Sequence, residues 1–156
     1  DLDATERLMP DIAVQAARRV LEVGGGGALA CAWLLPVWEA NHDRLATLSD
    51  VQRVRLVRTL EDAVAAADEE TERDWLARIE AAQQRLPRDA SLQYLAGKAC
   101  MHRQLWGKAL QLLTQAAAGL PDARLQSRAW RALAELAEQR GDAEGAARAW
   151  KAAAPG

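Results

Sequence analysis

Pro87-Arg88-Asp89-Ala90-Ser91-Leu92-Gln93-Tyr94-Leu95-Ala96-Gly97-Lys98-Ala99-Cys100-Met101-His102-Arg103-Gln104-Leu105-Trp106-Gly107-Lys108-Ala109 decides the fold. Gly97 is followed by Ala109 at +12, Leu113 at +16 and Ala116 at +19. The same spacing returns 37 residues on, as Ala134, Ala146, Trp150 and Ala153. Small residues at the first two offsets let two antiparallel helices approach closely. The large apolar residue plugs the space between them, and Pro121, at +24 from Gly97, sits where the second helix of such a pair must stop.

This is the spacing of a tetratricopeptide helix hairpin. It predicts a fifth helix over about Asp89–Arg103, a sixth over about Trp106–Leu120, a seventh over about Leu125–Arg140 and an eighth over about Ala143–Ala154. Gly141-Asp142 makes the last tight turn. The expected architecture is all-α, an α-solenoid of about four helix hairpins spanning residues 1–156 as one domain. Residues 1–48 form a divergent hairpin, 49–87 a degenerate repeat, and 90–123 and 127–156 the two clear repeats.

Upstream, Pro10 fits the first position of a helix, with Asp1–Met9 frayed ahead of it. Ile12, Ala16, Val20 and Val23 mark an apolar stripe, and Gly24–Gly27 end that helix. The glycine run follows a helix rather than a strand and lacks the Gly-Lys-Ser/Thr ending of a phosphate loop, so it reads as a turn. A second helix from near Ala28 carries Leu29, Trp33, Leu34, Val37, Trp38 and Leu45, with Pro36 expected to kink or restart it. Ser49 or Asp50 caps a third helix bearing Val51, Val54, Leu56 or Val57, Leu60 and Val64 on its inner side. Its Arg53, Arg55, Arg58, Glu61 and Asp62 read as a solvated face. A fourth helix, led by the acids Asp68, Glu69 and Glu70, holds Trp75, Leu76, Ile79, Ala82 and Leu86 and stops at Pro87.

The totals agree with a helical array. The chain has 156 residues, half of them apolar, with no phenylalanine and six tryptophans. Alanine-rich segments favour helices, and strands would draw on more β-branched and aromatic residues. Twenty basic against 22 acidic residues give a net charge of −2, no footprint for nucleic acid. Cys31 and Cys100 form no CxxC pair and read as free buried thiols. Val23–Trp38, the least polar stretch, is shorter than the ~20 apolar residues a spanning helix needs. The chain opens on Asp1 rather than methionine. That is expected of a piece of a longer protein, whose missing flank would hold any targeting or membrane segment.

No reaction is written into the chain. GxSxG, HExxH and GxGxxG are absent, and acid pairs such as Glu135 and Glu138 read as solvated helix surface. Cys100-Met101-His102 is the one cluster of soft ligands, but residues i and i+2 on a helix point apart. Cys100 falls at a core position. In a solenoid the first helix of each hairpin lines the partner-binding groove. The candidate groove residues are therefore Ser91, Tyr94, Lys98, Met101 and His102, with Arg128, Arg131, Glu135, Glu138 and Gln139 from the last hairpin. Tyr94 beside Lys98 and Arg131 makes a candidate grip for a carboxylate or an acidic peptide.

Leu92–Gly97, Gln104-Leu105-Trp106-Gly107-Lys108-Ala109 and Ala132–Asp142 resemble the C-terminal repeat region of the bacterial HemY-type protoheme IX biogenesis proteins. The resemblance runs from about Trp75 to Trp150, and Gln-Leu-Trp-Gly-Lys-Ala is its most specific piece. Upstream, only the helical layout and Leu35-Pro36-Val37-Trp38-Glu39 match. The family implies an inner-membrane protein anchored through an N-terminal segment missing here, with a soluble repeat domain on the cytoplasmic face. It implies a role in late haem synthesis as a scaffold for haem-pathway enzymes, with no catalytic residue to carry over. Direct binding of haem or porphyrin as a transient ligand, resting on Met101, His102 and Tyr94, is the alternative of different class. A generic repeat adaptor unrelated to haem is the third.

Overall fold

The structure, a computed structural model, describes residues 2–154, with side chains described from residue 11 onward. It is all-α. Eight helices pack in adjacent pairs, and no strand occurs among the described residues. They are α1 (Leu2–Glu22), α2 (Gly27–Asn41), α3 (Asp50–Ala65), α4 (Glu69–Arg85), α5 (Ala90–His102), α6 (Trp106–Gly119), α7 (Ala123–Gln139) and α8 (Ala143–Ala153). A short 3₁₀ turn, Leu45–Thr47, precedes α3. The last four helices fall within two residues of the bounds expected from the small-residue spacing. Contacts divide the chain into two compact units, residues 1–78 and 79–156.

In the first unit α1 packs on α2 and on α3, and α2 packs on α3. The turn after α1 is a glycine-made cap. Gly24 takes φ 76°, and Gly25 N donates to Val20 O at 2.8 Å. Gly27 then sits against the end of α3. A Cβ there would overlap backbone atoms of Ala63, Ala66 and Ala67, so only glycine admits this approach. Ser49 caps α3 as a full capping box: Gln52 N donates to Ser49 Oγ, and Ser49 N donates to Gln52 Oε1. Trp38 of α2 meets Trp75 of α4 edge to face at 5.9 Å, and the Arg78 guanidinium lies 5.2 Å from the Trp75 ring centre.

Several upstream expectations are corrected. α1 begins at Leu2, so Pro10 lies inside it rather than at its start. α2 runs unbroken through Pro36. The ring removes one donor to the carbonyl of Ala32; both residues are exposed, so water can satisfy that carbonyl. In α1 the buried side is Val14 and Ala17, while Ile12 and Val23 are exposed. In α2 Leu29 and Trp33 are exposed, and Leu34, Val37 and Trp38 are buried. Both helices carry apolar residues on more than one face, so periodicity alone does not choose the inner one. Val51, on the expected inner side of α3, is exposed, and Leu86 at the end of the apolar run of α4 is exposed too. Arg53, read as solvated, is buried: its guanidinium donates to Leu45 O (3.3 Å) and Leu48 O (2.9 Å) and pairs with Asp50. It holds the loop before α3 by satisfying its carbonyls.

In the second unit α5 packs on α6, α6 on α7 and α7 on α8. Ala109, Leu113 and Ala116 are fully enclosed. A Cβ on Gly97 would stand 2.7 Å from Leu113 Cγ, so the two helices approach as closely as the spacing predicts. Asp89 caps α5 by accepting from Leu92 N, and Asp142 caps α8 by accepting from Gly145 N. The two hairpin turns share one geometry. Gln104 N donates to Met101 O and Leu105 N to Cys100 O; Gly141 N donates to Glu138 O and Asp142 N to Ala137 O. Each is a Schellman cap with its central residue left-handed, at φ 62° for Gln104 and 75° for Gly141.

Candidate functional site

The groove residues expected on α5 and α7 separate into two sets. On α7, Arg131, Glu135 and Glu138 are exposed and share one face at i, i+4 and i+7, with Gln139 exposed beside them. Trp150 of α8 donates from Nε1 to Glu138 Oε1 at 2.8 Å and fixes that carboxylate at the hairpin surface. Arg128 is half-buried at the inner edge of the face. Ser127 Oγ donates to Ala153 O, tying the start of α7 to the end of α8.

On α5 the expectation fails for two residues. Tyr94 is completely enclosed and Ser91 is 4 % exposed, so neither presents a surface, and the Tyr94–Lys98–Arg131 carboxylate grip is not formed. The reason is visible in the helix itself. Ser91 to Gly97, Ala99 and Cys100 are all buried, because α5 is small or apolar nearly all the way round. Even Gln93 is turned inward, donating from Nε2 to Pro87 O at 2.7 Å. Lys98 and Met101 are half-buried and His102 is exposed.

Cys100 packs in the core as read, and burial raises its thiol pKa, with Lys108 lowering it and Glu80 raising it. Lys108 Nζ donates to Glu80 Oε1 at 2.9 Å, and that hydrogen bond raises the ammonium pKa. Cys31 is the sharper case. Burial pushes its thiol up to about 11, partly opposed by Arg78 and aided by Asp68. Both thiols are held protonated and are poor nucleophiles at neutral pH.

A further feature lies in the first unit. A cleft of about 640 Å³ opens between α1 and α3, within the size range of ligand-holding sites. Arg19 on one side and Arg55 and Arg58 on the other line it, with Ile12 supplying an apolar wall. Reading Arg55 and Arg58 as solvated surface missed this. Their i, i+3 spacing, continued by Asp62 at i+7, was the available signal that they share a face.

Comparison of the chain with protein-family models, with curated proteins and with solved structures finds no match.

Proposed function

We propose that the chain is a non-catalytic scaffold that binds partner proteins. On the resemblance of its repeat segment, we assign it to a membrane-anchored, HemY-type protein serving late haem synthesis. The observation that carries the scaffold reading is the contrast between α5 and α7. The repeat spacing is consumed in packing α5 against α6, while α7 presents an ordered row of exposed charge in Arg131, Glu135 and Glu138. Such a row on a rigid helix suits side-chain recognition of another protein, where charge sets register and partner choice. The haem-pathway assignment rests on the resemblance alone.

Direct tetrapyrrole binding through Tyr94, Met101 and His102 has less support. Tyr94 is sealed in the core, and Met101 and His102 are adjacent on one helix, about 100° apart around its axis, so the three do not converge.

The test is capture from a detergent extract of bacterial membranes, with the purified chain and its Arg131→Glu/Glu135→Lys variant side by side. Haem-pathway enzymes retained by the first and lost by the second support the reading. Equal retention by both rejects the α7 face. A saturable Soret shift on adding haemin, with no protein retained, moves the tetrapyrrole reading ahead.

A further inference from the structure

The cleft between α1 and α3 has a chemistry of its own. Its charge is one-sided. Among the described residues, the ion pairs place a carboxylate on Arg18 but none on Arg19, Arg55 or Arg58. Arg18 is already spent: Nη1 pairs with Asp62 Oδ2 at 2.9 Å, and Nη2 donates to Thr59 Oγ1 at 3.1 Å. That link ties α1 to α3 and forms one wall. Arg58 is half-buried, and its Nε is enclosed without a hydrogen-bond partner. The Arg58 guanidinium, like those of Arg19 and Arg55, therefore lines the cleft with no carboxylate paired to it among the described residues. Among the described residues of the lining, Glu22 is the one acid.

The lining is also partly apolar. Ile12 is 59 % exposed on the same α1 face as Arg19, with Ala16 between them. An inorganic anion or a nucleic-acid backbone would use the guanidiniums and gain nothing from Ile12. A chain carrying both carboxylates and apolar side chains would use all of it. Arginine forks match carboxylates two hydrogen bonds at a time, and three of them in one cleft favour several acids over one.

We propose that this cleft is a docking site for an acidic peptide segment of a partner protein, one whose glutamate or aspartate side chains alternate with aliphatic ones. The carboxylates pair with Arg19, Arg55 and Arg58, and an aliphatic side chain covers Ile12. The proposal deepens the partner-binding reading by naming the chemistry of one partner, and it uses a surface separate from the α7 row.

Fluorescence anisotropy of a labelled glutamate–leucine peptide titrated with the whole chain tests it. The expected result is saturable binding that weakens as salt is raised. Arg55→Glu/Arg58→Glu should lower the affinity at least tenfold. Arg55→Lys/Arg58→Lys, which keeps the charge and removes the fork, should lower it several-fold. Ile12→Gln, at an exposed position that leaves the fold intact, should also weaken binding several-fold. Circular dichroism of each variant checks folding.

The Arg131→Glu/Glu135→Lys variant should bind the peptide as the parent does. A failure of this proposal is thus separable from a failure of the α7 face. The proposal is overturned if the peptide does not bind, or if the Arg55/Arg58 reversal leaves affinity unchanged. It is equally overturned if a glutamate–serine peptide, a single-stranded oligonucleotide of equal charge or anionic lipid vesicles bind as tightly as the glutamate–leucine peptide.

Discussion

The hairpins α5–α6 and α7–α8 are built on one spacing and use it differently. In the first, Gly97 faces Leu113, and the leucine is fully enclosed. In the second, Ala134 and Trp150 hold the equivalent positions, and Trp150 is 40 % exposed, not the core plug its position suggests. The difference lies in what comes next. α6 is covered by α7, whereas α8 is the last helix among the described residues. A tryptophan suits that edge: a half-exposed ring keeps an apolar body, and its Nε1 reaches Glu138. A plug position therefore guarantees burial only when a further helix closes over it. Small positions behave more uniformly, with Ala109, Ala116, Ala134, Ala146 and Ala153 all buried.

The comparison is broken most directly by truncating the two plugs. Leu113→Ala should cost about 3–4 kcal/mol, since it opens a cavity in an enclosed site. Trp150→Ala should cost roughly 1 kcal/mol, because much of its ring already meets water and its hydrogen bond is exposed. Urea denaturation of both variants reads the difference; equal losses would mean that Trp150 is packed as deeply as Leu113. The small positions come next. Gly97→Ala should destabilise by about 1–3 kcal/mol, because the new methyl meets Leu113 Cγ at 2.7 Å. The helix-propensity gain of alanine offsets only ~1 kcal/mol of that. A stabilised Gly97→Ala variant would show that the two helices can move apart without loss.

These positions also mark how far the sequence could be read. Where the repeat spacing is present, α5 to α8 were legible to within two residues, and so was the burial of Cys100. The faces were less legible. α5 is too uniformly apolar to reveal an outer side, so Tyr94 and Ser91 were placed on a groove and are instead enclosed. α2 has the same property, and its apolar residues alone do not separate the exposed Leu29 and Trp33 from the buried Leu34, Val37 and Trp38. Arg53 illustrates a different limit. A buried arginine that binds loop carbonyls looks like any surface arginine until the loop's path is known. The arginine-lined cleft needed the α1–α3 packing, which no local pattern encodes.

The turns give a finer comparison. Gln104 and Gly141 occupy the same left-handed position 37 residues apart, each with the same pair of backbone bonds. A residue with a Cβ is strained there by roughly 1 kcal/mol, and glycine is not. Gln104→Gly should therefore stabilise the chain by a fraction of that, after the entropy glycine adds to the unfolded state. Gly141→Ala should destabilise it by about 1 kcal/mol. Melting temperatures moving in opposite directions are the expected outcome; movement in the same direction would show that the glutamine side chain makes up its strain elsewhere.

The smallest difference concerns the thiol of α5, whose counterpart in α7 is Ala137. Burial raises the Cys100 pKa in the folded chain, while the unfolded thiol ionises near its ordinary value of about 8.5. Below that pH both states are protonated, and the thiol's contribution is fully present. As pH rises through it, the unfolded state loses its proton first, so stability falls until the folded thiol also ionises. At pH 9 the loss from this group is under about 1 kcal/mol. Cys100→Ala makes α5 resemble α7 at this position and should flatten that part of the profile between pH 7.5 and about 9. Keeping the range below the lysine titration leaves the Lys108–Glu80 pair unchanged in both proteins. Cys31, with its thiol at about 11, contributes a slope of the same sign that Cys100→Ala leaves in place. Denaturation midpoints that fall equally with pH in the parent and in Cys100→Ala would mean that Cys100 meets water in the folded chain.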